Sequence, residues 1–320
     1  MVRLRRSDPA KPGYTRVDGS AALLGRDGRR LRDPQELRRV AELVIPPAWT
    51  DVWVCADAAG HIQAIGTDQA GRRQYIYHPA WRQRRDQAKF ERSLALAASL
   101  PAARRTVTRE LRLPGFPKRR LLAAGFRIID LGSLRVGSEE YLHANGSRGL
   151  TTLLCRHAAV EGSRTTLTFP AKSGQRWSSA IEDDDLAALM RSLTAARGPR
   201  SRLLSWHDDR WHGIHPVELN AYIRERTHGD FTAKDFRTLK GTIAAASALA
   251  RAGVATTESA KKRAIAAAVQ ETAEILGNTR AVARNSYIDP RVFDRYRAGQ
   301  VLESGAGRSP EAALRSLIDG

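Results

Sequence analysis

Val52-Trp53-Val54, Ile62-Gln63-Ala64 and Gln74-Tyr75-Ile76-Tyr77 are three short runs in which large side chains recur at every second position. Val52 and Val54, Ile62 and Ala64, and Tyr75 and Tyr77 alternate around the breaks Ala59-Gly60 and Ala70-Gly71. A period of two punctuated by turn residues predicts a small antiparallel sheet over residues 52–78. Upstream, residues 1 to about 40 are rich in Arg, carry the turn signals Pro12-Gly13, Asp18-Gly19 and Asp27-Gly28, and lead into a short amphipathic helix near 34–43. This β-containing domain is expected to end near residue 88.

Beyond it the period changes to that of a helix, over roughly 89–99, 102–111, 116–132 and 135–145. A strand region follows, with Leu150–Cys155, Ala158–Glu161 and Thr165–Phe169 joined by tight turns at Arg156-His157 and Gly162-Ser163. Helices resume at about 183–195 and 216–227. Thr232, with Asp235 three residues on, reads as the N-cap of an Ala-rich helix ending near Gly253. A second Ala-rich helix over about 258–276 is stopped by Gly277, and Asp289-Pro290 restarts a short helix that Gly299 closes. The tail after about 303, rich in Gly, Ser and Ala, is expected to be loosely held. The fold class is therefore α+β, with a sheet-containing domain at 1–88 and a mainly helical domain at 89–320.

The chain carries 53 Lys+Arg against 34 Asp+Glu, a net charge of +19, and only eight of the 53 cations are lysines. Both parts are basic, about +6 before residue 89 and +13 after it. Arginine's planar fork matches phosphate oxygens, so a polyanion, DNA or RNA first, is the expected partner. A high-GC genome would also favour Arg over Lys, but it does not account for the missing acid. At 42% hydrophobic and 27% charged residues the chain is globular. No apolar stretch approaches the roughly 20 residues needed to cross a bilayer, and no apolar segment follows Met1-Val2-Arg3-Leu4-Arg5-Arg6, so neither a membrane nor a secreted protein is expected. Cys55 and Cys155 lack the spacing of a zinc site or a disulfide framework, which fits a reducing compartment.

Four residues stand in settings suited to chemistry. Arg135 lies at a helix junction in Leu131-Gly132-Ser133-Leu134-Arg135. Lys172 lies just past a strand, on a hairpin loop, in Phe169-Pro170-Ala171-Lys172-Ser173-Gly174. Arg237 falls on the first turns of a capped helix, and Tyr287 just before a helix restart in Arg284-Asn285-Ser286-Tyr287-Ile288-Asp289-Pro290. Two fixed cations, a movable cation and a phenol are what an acid-catalysed transesterification at phosphate requires.

From Val44-Ile45-Pro46-Pro47-Ala48-Trp49 through Gly71-Arg72-Arg73-Gln74-Tyr75-Ile76-Tyr77 to Tyr287, the sequence resembles the type IB DNA topoisomerases, in particular their small bacterial and poxvirus-like branch. The resemblance implies a monomeric, cytoplasmic, nucleoid-associated enzyme, C-shaped and clamping duplex DNA, which relaxes supercoils through a 3′-phosphotyrosyl bond without metal, ATP or cofactor. Matched motif by motif, Arg135 and Arg237 take the places of the two arginines, Lys172 that of the lysine and Tyr287 that of the nucleophile. The family's histidine falls in Leu-Gly-His-Thr, where this chain reads Leu276-Gly277-Asn278-Thr279. Asn278 donates a neutral hydrogen bond at most, so slower cleavage than with histidine is expected. The stretch with Gln74, Tyr75 and Tyr77 touches DNA in the family.

Charge builds on the nonbridging oxygens of a five-coordinate phosphorus, and forked donors such as Arg135 and Arg237 stabilise it there. A phenol titrates near ~10, so neighbouring cations must favour the phenolate. Lys172, its pKa lowered by the arginines, is the candidate acid for the leaving 5′ oxygen. The chain has no Gly-x-x-x-x-Gly-Lys-Ser/Thr loop.

Other readings compete. Tyr287 could be a packed tyrosine beside a helix cap, and Tyr75 and Tyr77 the core of their sheet. If they are not, Gln74 could pair with adenine while the tyrosines contact a thymine methyl or a phosphate. His207, His212 and His215 cluster between tryptophans without metal-ligand spacing, and Lys261-Lys262 and Glu182–Asp185 read as solvated helix ends. A tyrosine recombinase is the competing enzyme, but Lys234 stands where its His-x-x-Arg box would need His. A non-catalytic Arg-rich DNA-binding protein is the third reading.

Overall fold

The alternation over 52–78 forms the centre of a five-stranded antiparallel sheet. In the computed structural model, which describes residues 3–17, 20, 22–171, 176–303 and 307–320, the chain divides into two units, Met1–Ala88 and Lys89–Gly320. The first contains β1 (Tyr14–Arg16), β2 (Leu23–Leu24), α1 (Pro34–Glu42), β3 (Thr50–Val54), β4 (Ile62–Thr67) and β5 (Arg73–Tyr77), with strand order β2-β1-β3-β4-β5. Strands as short as β1 and β2 leave no readable period. Asp18-Gly19 lies outside the described residues.

Val54 sits opposite Ala64, and Ala64 opposite Ile76, and these side chains pack with Val52, Leu23 and Val40 of α1 as the unit's core. A register shift between Ile62 and Ala64 separates the two residues that the alternation had paired. In β5 it is Ile76 that reaches the core, so Tyr75 and Tyr77 project from the opposite face. Tyr75 is 42% exposed, and the two rings stack with centres 6.0 Å apart. The tyrosines are therefore not the core of this sheet. At the β4–β5 turn, Asp68 accepts hydrogen bonds from the Arg72 side chain (2.9 Å) and backbone (2.9 Å) and from Gln74 Nε2 (2.8 Å). The Arg72 contacts lead in lowering its pKa to about 2.

α2 (Pro79–Leu111) runs unbroken through the boundary between the units. The expected break near 100 does not occur: Pro101 removes one helix hydrogen bond, but Leu94, Ala97 and Leu100 before it and Ala103, Val107 and Leu111 after it are all buried on the core. α3 (Lys118–Gly132) ends at Ser133, which is left-handed at φ 57°. The helix expected from 135 begins only at α4 (Glu139–Asn145), capped by Ser138. The cause lies in the backbone. The Arg135 and Val136 carbonyls accept the Leu150 (2.9 Å) and Thr151 (2.8 Å) N–H groups, and Gly137, at φ 79°, lies too close to Gly149 for any Cβ. Leu150–Cys155 is likewise not a strand but two 3-10 turns, Leu150–Thr152 and Cys155–His157, whose apolar run is simply buried.

A three-stranded sheet follows, β6 (Ala158–Glu161), β7 (Arg164–Pro170) and β8 (Arg176–Glu182), in that order. Asp183 caps α5 (Asp184–Ala196) and also pairs with Arg127, so this part of the acidic run is held rather than solvated. The histidine cluster lies on and after a hairpin, β9 (Ser205–His207) and β10 (Trp211–Gly213), where His212 stacks on Trp206 and contacts Asp208. α6 (Pro216–Thr227), α7 (Ala233–Ala252), α8 (Glu258–Leu276), α9 (Arg280–Ser286) and α10 (Pro290–Arg297) build the helical body. Ala245, Ala246, Ala268 and Ala273 are buried, which lets α7 and α8 approach closely.

The tail departs from expectation. It forms α11 (Pro310–Asp319), with Leu314 and Ile318 buried and Glu311 paired to Arg104 at 2.6 Å. A Gly/Ser-rich composition before 310 concealed an amphipathic segment with a Ser309 cap. Among the described residues no helix is long and apolar enough to cross a membrane.

Candidate active site

α7 begins at Thr232, whose N–H (2.8 Å) and hydroxyl (3.0 Å) both donate to Asp235. This fixes the first turn and sets Arg237, only 3% exposed, pointing back toward the end of α3. Arg237 Nη1 donates to the Ser133 carbonyl and Nη2 to that of Leu276 at 2.9 Å, while Nε is buried with no partner among the described residues. Burial, followed by the nearby Arg135 charge, holds this guanidinium below its usual pKa, and Tyr287 opposes the shift. The guanidinium carbon is 5.0 Å from the centre of the Tyr287 ring.

Tyr287 ends α9, its N–H bonded to the Ala283 carbonyl at 3.0 Å. Its own carbonyl accepts from Thr242 Oγ1 at 3.2 Å, and the same hydroxyl receives the Asp289 N–H at 3.1 Å. A Cβ on Gly241 would lie 2.7 Å from the Tyr287 carbonyl oxygen, so only glycine allows α7 to come this close.

Gly277 closes α8 in the left-handed conformation at φ 56°, and Asn278 returns its N–H to Ala273 at 2.9 Å. The Asn278 Oδ1 accepts from Arg135 Nη2 at 2.6 Å, leaving its Nδ2 buried and without a partner among the described residues. Trp177 of β8 packs on Gly277 so tightly that a Cβ there would meet its ring at 2.1 Å.

Arg135 lines two clefts. One of about 330 Å³ also contains Arg237, Tyr287, Asn220 and Lys234. The other, of about 720 Å³, contains Ala171, Arg176, Trp177, Asn278 and Arg280. The structure thus brings together Arg135, Arg237, Asn278 and Tyr287, drawn from four separate segments. Lys172 lies outside the described residues. Its neighbour Ala171 lines the wider cleft, and Pro170 pairs with Arg176 at the end of the β7–β8 hairpin. Gln74, Tyr75 and Tyr77 belong to the first unit. Sequence reasoning missed Asn220, Trp177 and the Thr242 hydroxyl, none of which stands in a local motif. Among the described residues no group of three or more His, Cys, Asp or Glu could hold a metal ion.

Residues 78–300 match the family model for the eukaryotic DNA topoisomerase I catalytic core, and residues 23–68 match that for the bacterial DNA topoisomerase IB N-terminal domain. The chain is also similar to DNA topoisomerase 1B of Acanthamoeba polyphaga mimivirus, 33% identical over 269 residues that cover 82% of this chain and 80% of the viral protein. Every site residue of the second unit falls inside the first of these matches, and on this extent of similarity the chain belongs to the type IB DNA topoisomerases, enzymes of the isomerase class.

Proposed function

We propose that the chain relaxes supercoiled duplex DNA by cutting one strand through a 3′-phosphotyrosyl bond at Tyr287 and resealing it, as a monomer and without ATP or metal. The observation that carries this reading is a tyrosine held beside a buried guanidinium, with two donors, Arg237 Nε and Asn278 Nδ2, that have no partner among the described residues. Buried donors without acceptors are costly, and phosphate oxygens would satisfy them.

In this reading the Tyr287 hydroxyl gives its proton to solvent and its oxygen attacks phosphorus, forming the tyrosyl–phosphate bond as the bond to the 5′ oxygen breaks. Arg135 and Arg237 stabilise the charge on the nonbridging oxygens, the task a divalent ion performs in many phosphoryl-transfer sites. Asn278, oriented by Arg135, adds a neutral donor. Lys172 protonates the departing 5′ oxygen; support comes from Ala171, beside it in sequence, which lines the same cleft as Arg135 and Asn278. The phosphotyrosine conserves the bond energy, so the reverse attack by the 5′ hydroxyl reseals the strand. For the first unit we place the DNA contact on Tyr75 and Tyr77, which face away from the core, since the Gln74 amide is engaged by Asp68.

Relaxation of negatively supercoiled plasmid in EDTA, with a covalent protein–DNA adduct on denaturation, is the expected result. Tyr287→Phe removes one oxygen and should abolish both. A Tyr287→Phe protein that still relaxed plasmid would sink the reading.

A further inference from the structure

Two adjacent residues of α2, Glu91 and Arg92, reach the two segments that carry the site. Arg92 forks onto Asp235, Nε to Oδ1 at 2.9 Å and Nη2 to Oδ2 at 3.2 Å. The same guanidinium contacts Asp230 at 3.4 Å and lies 5.7 Å from the centre of the Phe231 ring, so it gathers the approach to α7. Asp235, two residues ahead of Arg237, is buried and holds Thr232. Glu91 accepts from Arg291 Nη1 at 2.6 Å, and Arg291 grips Asp289 through Nη2 at 2.7 Å and Nε at 3.1 Å. Asp289 is 1% exposed, caps α10, and lies two residues beyond Tyr287.

A forked guanidinium–carboxylate pair fixes direction as well as charge. Removing Arg92 would leave the buried Asp235 carboxylate short of its cation, and the segment would shift until that charge found another partner. Glu91 acts one step further out, restraining Arg291 and through it Asp289.

We propose that Glu91 and Arg92 are positioning residues of strand cleavage, through which one turn of α2 holds the start of α7 and the Tyr287–Asp289 segment in register. This rests on the reading of Tyr287 as nucleophile and Arg237 as phosphate ligand.

The test uses full-length Arg92→Met, Arg92→Lys and Glu91→Gln. Single-turnover cleavage of a suicide duplex is measured at saturating DNA, noncovalent affinity is measured in the Tyr287→Phe background, and stability by urea denaturation. Because misplacement of about 1 Å at reacting atoms costs on the order of a hundred-fold, Arg92→Met should lower the saturated rate at least about ten-fold and Glu91→Gln about three-fold, with Kd nearly unchanged. Arg92→Lys, which keeps charge but loses the fork, should recover part of the rate. Wild-type saturated rates in Arg92→Met and Glu91→Gln, or losses accounted for wholly by Kd or the folded fraction, would overturn the proposal. If Tyr287→Phe is inactive while these variants cleave normally, the positioning role fails alone. If Tyr287→Phe still cleaves, the nucleophile assignment fails first.

Discussion

Asn278 accepts from Arg135 through its carbonyl oxygen, and its NH₂ has no acceptor among the described residues. The side chain therefore does two things, aligning a cation and presenting a neutral donor. Asn278→Ala removes both, and single-turnover cleavage should fall by about 10²-fold. Asn278→His supplies a chargeable donor in place of a neutral one and should raise the rate roughly five-fold. A large loss in Asn278→His would count against placing this residue at the phosphate. Asn278 entered through the family resemblance and the helix expected from Arg135 begins only at Glu139, but the helix ends beside Arg237, Asn278 and Tyr287 were legible in the Thr232 cap, Gly277 and Asp289-Pro290. The contacts that hold them were not, because their partners lie far along the chain: Arg135 and Asn278 are 143 positions apart, Arg237 and Ser133 104, and Glu91 and Arg291 200.

At the scale of elements, Gly241 shows how packing reverses a propensity. An internal helix Gly→Ala change ordinarily stabilises by about 0.5–1 kcal/mol. Here the added methyl would press on the Tyr287 carbonyl, so Gly241→Ala should lower the cleavage rate and give no gain in urea midpoint. α11 provides a pH-dependent case. Burial raises the Glu311 pKa, but the Arg104 hydrogen bond and charge outweigh it and the net shift is downward. A carboxylate with a lowered folded-state pKa contributes stability that is present above its unfolded pKa and lost as pH falls through the folded one. Arg104 keeps Asp130 as a partner at 2.8 Å, so Glu311→Gln should cost about 1–3 kcal/mol at pH 7. The difference from wild type should shrink as pH falls through and below the ordinary glutamate range; a pH-independent difference would contradict this ion pair as its source. In the first unit β3, β4 and β5 were legible from their period, but β1 and β2 were too short to read, and the register shift between β4 and β5 is a property of pairing rather than of one strand.

Over the whole molecule, the 53 basic residues are not all available to a partner. Arg92, Arg104, Arg127 and Arg291 are committed to internal carboxylates. The remaining surface charge should still make DNA binding steeply salt-dependent, with affinity falling by about 10³-fold or more between 50 and 200 mM salt if six or more phosphates are contacted. The cleavage rate at saturating DNA should change far less, because Arg237 is buried and Arg135, Asn278 and Tyr287 are partly so. Equal salt dependence of binding and of saturated cleavage would show that the surface and the site are not separable in this way. The contact between Trp177 and Gly277 also has an optical consequence. An indole wedged against the glycine beside Asn278, in the cleft that Arg135 lines, is an intrinsic reporter of site occupancy. With six tryptophans in the chain, the emission change on adding duplex DNA should be measurably smaller in Trp177→Phe, which turns the fluorescence difference between the two proteins into a stopped-flow clock for strand entry ahead of the chemical step.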